Sequence, residues 1–223
     1  MDGHLAPFLP WQAFIEGSIY ADTEVPWRHD PAFALLRELP GLQASVSGRI
    51  PAALAQIMAL VRALTQVDIL HVIHTHRPAR GLCLGFGMNV LEPYDLLQAC
   101  ALDMVHAYEW IGEQVMEAAQ ALAALSSPEP TLATRIRLHH GTISHLSALA
   151  AASIRLVYAA SVFNNEIPMA PQTLTRATAE IVRVLAPGGF MVSRGSAGVL
   201  EERLVAHGRL LLHTPSVSVF QKG

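Results

Sequence analysis

From Arg80 to the end of the chain, short apolar runs alternate with longer segments of helical spacing. Gly81–Leu84, Met104–Tyr108, Arg135–Leu138, Ile154–Ala160 and Phe190–Ser193 read as strands. Between them, Pro93–Leu102, Gly112–Leu125, a short piece at Ser144–Ala151 and Gln172–Leu185 read as helices, and Gly198–Ala206 follows as another. Strands that alternate with helices in this way form a parallel sheet wrapped on both faces. The chain closes on Arg209–His213 and Ser216–Gln221, separated only by the turn Thr214-Pro215. So short a connection forces a hairpin, which makes one strand antiparallel.

Composition narrows the setting. Hydrophobic residues make up 52% of the 223 and charged residues 15%, against about 25% charged in ordinary soluble domains. The chain can therefore bury a sizeable core. A membrane span needs about 20 apolar residues. The quietest long stretch, Leu138–Ile154, carries His139, His140 and His145, so no membrane association is expected. Fifteen Lys+Arg against 18 Asp+Glu give a net charge of −3, and no basic cluster marks a nucleic-acid surface. Cys83 and Cys100 do not make a disulfide framework. With no signal-peptide pattern, the expected setting is the reduced cytoplasm.

Before residue 78 the texture differs. Pro7, Pro10, Pro26, Pro31 and Pro40 punctuate short pieces, with a short helix expected after Asp30-Pro31. Leu54, Ile57, Met58, Val61 and Leu64 recur at helical spacing, which predicts one helix from Pro51 to about Thr75 that Arg77-Pro78 stops. The chain thus divides into an N-terminal helical cap, residues 1–77, and an α/β domain, residues 78–223. The aromatic stretch Trp11–Trp27 suits either a lid over a pocket or a surface docked on the sheet edge or on a second copy of the chain.

Chemistry concentrates around Gly85-Phe86-Gly87, the loop after the first strand. Glycines there let the backbone approach a ligand closely, at the strand end where open α/β sheets bind ligands. A dinucleotide fingerprint requires Gly or Ala at the sixth position, which is Val90 here. Further on, Glu109 ends the second strand, Gly141-Thr142 follows the third, and Arg183-Val184-Leu185-Ala186-Pro187-Gly188-Gly189 precedes the fifth. In that order, over residues 78–223, these features resemble the class I S-adenosylmethionine-dependent methyltransferases.

The resemblance implies a three-layer fold around a seven-stranded, mostly parallel sheet of order 3-2-1-4-5-7-6 with strand 7 antiparallel. It implies S-adenosylmethionine as cofactor. Gly85, Phe86, Gly87 and Asn89 would lie under its methionine part, and Glu109 would accept its ribose hydroxyls. Trp110, Thr142 and Ile143 would lie by the adenine, and Ala160 by the transferred methyl group. Asn164 and Asn165, after the fourth strand, would orient the acceptor of a small or medium-sized substrate. The pattern departs from the family at Cys83, where an acidic residue is usual, at Asn89, the place of a third glycine, and at Thr142, the place of an Asp.

Simpler readings accompany each candidate. Glu109 can be a helix-start acid, Trp110 a core residue, and Asn164-Asn165-Glu166 a polar turn. His140 and His145 are the nearest bases, though each can be merely structural. In His71-x-x-His74-x-His76 the third histidine falls off the helical face of the first two, so no metal site is expected. Two further functions stay open: a non-catalytic scaffold or partner subunit that keeps the fold, and a nicotinamide-dependent oxidoreductase using the same loop.

Overall fold

A computed structural model of the protein describes residues 49–87, 90–126, 130–160, 162–163, 169–195, 200–214 and 217–223. The expectations for Trp11–Trp27, the Asp30-Pro31 helix, Asn89, Asn164 and Asn165 lie outside these residues.

Two helices, α1 (Arg49–Thr65) and α2 (Ile69–His74), precede the sheet. They alternate thereafter with strands: β1 (Arg80–Leu84), α3 (Leu91–Ala99), β2 (Met104–Glu109), α4 (Gly112–Ser126), α5 (Leu132–Arg135), β3 (Ile136–His140), β4 (Ile154–Ala160), α6 (Pro171–Val184) and β5 (Leu185–Arg194). A short helix α7 (Glu201–Leu204) and a 3₁₀ turn lead into β6 (Gly208–His213) and β7 (Val217–Lys222).

Seven strands form one sheet in the order β3-β2-β1-β4-β5-β7-β6. The first five pair in parallel, and β7 runs antiparallel to both β5 and β6. This is the order the resemblance implies, and the closing hairpin is the one its two-residue turn demanded. Burial follows the pleat. Cys83, Val105, Ala107, Tyr158 and Val192 face one core with α1, α2, α3 and α4. Leu82, Leu84, Tyr108, Val157 and Met191 face the other with α6 and α7. Residues of β1 and β4 are buried on both faces, which explains their continuous apolar runs.

The structure corrects several local expectations. The single helix from Pro51 to Thr75 is two helices. Gln66 takes a left-handed φ of 61° and breaks the first, and Asp68 starts the second by accepting the His71 N–H at 3.0 Å. Leu54, Ile57, Met58, Val61, Ile69 and Ile73 all enter the sheet's own core. Ser144–Ala151 holds turns rather than a helix. Its polar groups are satisfied from α6 instead. Arg183 donates to the carbonyls of Leu149 and Leu146 at 2.8 and 2.9 Å, and Glu180 accepts the Leu146 N–H at 2.7 Å. The Pro187-Gly188-Gly189 turn is absorbed into β5, which bulges against β4 between Ile154 and Leu156. A Cβ on Gly189 would come within 2.9 Å of the Ala186 carbonyl oxygen, so no larger residue fits there.

On β2 and β3, the His106 and His139 rings share a hydrogen bond, Nδ1 to Nε2, at 2.9 Å. Tyr108 stacks on His139 with ring centroids 4.5 Å apart. Burial, and then the neighbouring His139 and Arg137, push His106 down to about 4, and burial also lowers His139.

Two outcomes follow. Arg183→Met should lower stability by about 2 kcal/mol, the value of hydrogen bonds from a charged donor, and should speed amide exchange around Leu146 and Leu149; urea denaturation and hydrogen exchange check both. The unfolded chain binds a proton at His106 near pH 6.5 while the folded chain resists it until about pH 4. His106 should therefore take away about 2 kcal/mol of stability as pH drops from 7.5 to 5, so the change in unfolding free energy between the two pH values should be about 2 kcal/mol more favourable to the folded state in His106→Leu than in the wild type, read from urea denaturation at each pH.

Candidate functional site

The carboxyl ends of β1, β2, β3 and β4 lie along one edge of the sheet. They bring Gly85, Phe86, Gly87, Glu109, Trp110, Thr142, Ile143 and Ala160 to that edge. The loop after β1 turns sharply because Gly85 and Gly87 both take positive φ, 64° and 61°. Such values strain any residue with a Cβ. The Gly85 N–H donates to the Tyr108 carbonyl at 2.8 Å, so the loop begins as a continuation of the sheet.

Glu109 ties the loop down. It is 4% exposed, and its carboxylate accepts three backbone N–H groups. Oε2 receives Gly87 at 3.0 Å, while Oε1 receives Trp110 at 2.9 Å and Ile111 at 3.1 Å. Burial raises its pKa, and these three bonds, with the nearby His140, pull the other way. Each carboxylate oxygen offers two lone pairs. Oε1 is therefore filled, and Oε2 keeps one acceptor position open.

The other candidates divide by what their side chains do. Phe86 is 2% exposed and packs in the core, so only its backbone faces the edge. Trp110 is 72% exposed, which sets aside the core-packing alternative and leaves its ring at the rim. Thr142 is exposed and bonds Ser144 Oγ at 3.0 Å. Ile143 is half-buried against the second core, and Ala160 is buried at the end of β4. His140 Nε2 bonds the Trp110 carbonyl at 3.0 Å, and His145 is exposed. His74 Nε2 bonds the Cys100 carbonyl at 2.8 Å. Among the described residues no group of three or more His, Cys, Asp or Glu could hold a metal ion.

Three buried polar residues were not foreseen. Glu92, in the first turn of α3, is 1% exposed, and neither of its carboxylate oxygens has a hydrogen-bond partner among the described residues. Asp95, one turn further, is 2% exposed with Oδ2 unpartnered. Gln114 is buried on α4, its Oε1 3.8 Å from where a Cβ on Gly87 would lie. The sequence reading began the helix at Pro93 and so left Glu92 outside it. The available signal was an acid in the first turn directly after a glycine loop.

A doubly wound sheet of this order, with a glycine turn after β1 and a carboxylate ending β2, defines the class I methyltransferase fold. Residues 85–193 match the family model of a methyltransferase domain. Model match and strand order together are those of a class I S-adenosylmethionine-dependent methyltransferase, and they imply S-adenosylmethionine as the methyl donor.

Solved structures are similar to this chain, and the first of those that follow shares its fold. The PH0226 protein from Pyrococcus horikoshii is 11% identical, with a TM-score of 0.53 over 77% of this chain and 90% of that one. A sarcosine dimethylglycine methyltransferase, so described provisionally, from Galdieria sulphuraria is 19% identical, with a TM-score of 0.47 over 67% and 48%. An arsenic(III) S-adenosylmethionine methyltransferase from Chlamydomonas reinhardtii is 25% identical, with a TM-score of 0.43 over 52% and 38%. This chain spans half or less of the last two proteins' length. No curated protein matches it by sequence. No helix among the described residues is long and apolar enough to cross a membrane.

The edge suits the donor chemically. Gly85 and Gly87 present backbone without side chains, and Glu109 keeps an acceptor position beside Gly87.

Proposed function

We propose that the chain is an enzyme that transfers the methyl group of S-adenosylmethionine to a small or medium-sized acceptor by in-line displacement. The observation that carries this reading is the bond from the Gly87 N–H to Glu109 Oε2, which fixes the glycine turn against the carboxylate at the sheet's edge. S-adenosylmethionine supplies an activated sulfonium, so the protein's task is to hold and orient.

Each group has a part in that task. The Gly85–Gly87 backbone packs against the methionine portion. Oε2 of Glu109 accepts a ribose hydroxyl, the Trp110 ring covers the adenine from the rim, and Ile143 and Thr142 flank it. Ala160 leaves room at the end of β4 for the reacting centre. Asn164 and Asn165, next along the chain, orient the acceptor. A general base is optional in such a transfer, and none of the described histidines is required as one. The weak charge of the chain favours a small-molecule acceptor over a nucleic acid.

One observation favours a second reading, a non-catalytic scaffold. The Val162 side chain lies on Gly85, its Cγ2 2.6 Å from where a Cβ would stand, so Val162 packs down on the loop. The family's donor speaks against the nicotinamide alternative.

Calorimetry separates the readings. The enzyme reading expects S-adenosylmethionine to bind the wild-type protein and Glu109→Ala to bind it roughly 10- to 100-fold more weakly, the value of a hydrogen bond to a charged acceptor. No binding at millimolar ligand to the folded protein would leave the scaffold standing. Unchanged affinity in the variant would remove Glu109 from the site.

A further inference from the structure

Glu92 is a poor choice for structure alone. A carboxyl taken out of water without a partner is destabilising, and an amide or an apolar side chain of similar volume would pack there more favourably. The groups around it do not explain it. On its own helix stands Asp95, a second buried acid that repels it. From β1 comes the Cys83 thiol, a weak donor, and from β2 the Glu109 carboxylate, which also repels. From β4 comes the Tyr158 ring, whose hydroxyl accepts Arg194 Nη1 from β5 at 3.1 Å. Arg194 is the one cation among these neighbours; its charge favours ionised Glu92, as does the weak contact of the Cys83 thiol, but burial outweighs both. The cluster adjoins the glycine loop: Glu92 stands in the first turn of the helix that follows the loop, and Glu109, whose charge acts on Glu92, accepts the Gly87 N–H.

We infer that Glu92 is the counter-ion for a positively charged group, an ammonium or a sulfonium, of the ligand held by the Gly85–Gly87 loop, and that its carboxyl gives up a proton when that charge arrives. The inference rests on the methyl-donor reading of the site. The step is simple in its balance: the carboxyl O–H bond breaks, the proton leaves to the solvent, and the carboxylate remains paired with the ligand cation. Burial supports it, because it pushes Glu92 up to about 8 and Asp95 likewise to about 8. Near neutral pH, Glu92 is then an uncharged acid until a cation pays for its ionisation.

Calorimetric titration at pH 7 in phosphate and in Tris, whose ionisation enthalpies differ, counts the protons exchanged on binding. Three ligands are compared: S-adenosylmethionine, S-adenosylhomocysteine, which keeps the ammonium but lacks the sulfonium, and methylthioadenosine, which lacks both. Wild-type protein should release close to one proton with S-adenosylmethionine and none with methylthioadenosine. Release with S-adenosylhomocysteine assigns the ammonium as the partner, and its loss there assigns the sulfonium. Glu92→Gln should abolish the release and weaken S-adenosylmethionine roughly 10- to 100-fold, while methylthioadenosine binds both proteins alike. The variant's melting temperature should not fall, since it loses an unpaired acid. The wild-type proton count and the methylthioadenosine comparison need no variant. Binding of S-adenosylmethionine without proton release, or equal release from Glu92→Gln, overturns the inference alone. Failure of all three ligands to bind overturns the proposed function and the inference with it.

Discussion

Each strand of a parallel sheet reaches its neighbour through a crossover, and the crossover helices have to cover both faces. β1 is the strand on which this condition falls hardest. It lies between β2 and β4, and Gly81, Leu82, Cys83 and Leu84 are all buried. A Cβ on Gly81 would come within 2.6 Å of the Leu102 side chain, so even the start of the strand has no room to spare. With Gly81–Leu84 enclosed, the strand's chain comes within reach of a ligand where it leaves the sheet, at Gly85.

That exit concentrates the protein's polar burial. Backbone N–H groups of Gly87, Trp110 and Ile111 converge on Glu109, which lets a carboxylate survive at 4% exposure. The same carboxylate closes the turn after β1 and starts the connection to α4. Binding and folding therefore share one side chain, and Glu109 serves any ligand only through the lone pair that its structural duty leaves over. Glu92, by contrast, has no structural duty among the described residues. A satisfied acid bound to the loop and an orphaned acid in the helix that follows it differ in kind: the first explains the loop's shape, and the second asks for a partner.

The fold was legible in the sequence because its signals are long-range and redundant. Apolar runs, helical spacing and the hairpin at Thr214-Pro215 all agree on one sheet. Local detail was less legible where tertiary contacts override propensity. Ser144–Ala151 looks helical by composition, but Arg183 and Glu180 take the hydrogen bonds a helix would have made. Pro187-Gly188-Gly189 looks like a turn, yet strand pairing carries β5 through it as a bulge. Of the site, Gly85, Gly87 and Glu109 could be read from spacing alone. Phe86 could not be sorted into backbone and side-chain roles, because only burial reveals that its ring belongs to the core. Glu92 was missed because sequence shows an acid but not its lack of partners.

If the proposed function holds, the glycine turn and Glu109 form one face of a methyl-donor site. A crystal structure of the protein with S-adenosylhomocysteine tests it most directly. The ligand's amino-acid portion should lie against Gly85–Gly87, with one ribose hydroxyl on Oε2 of Glu109 and the Gly87 N–H still bound to the same carboxylate. Ligand bound elsewhere, or a Glu109 side chain with no ligand contact while the site is filled, would contradict it.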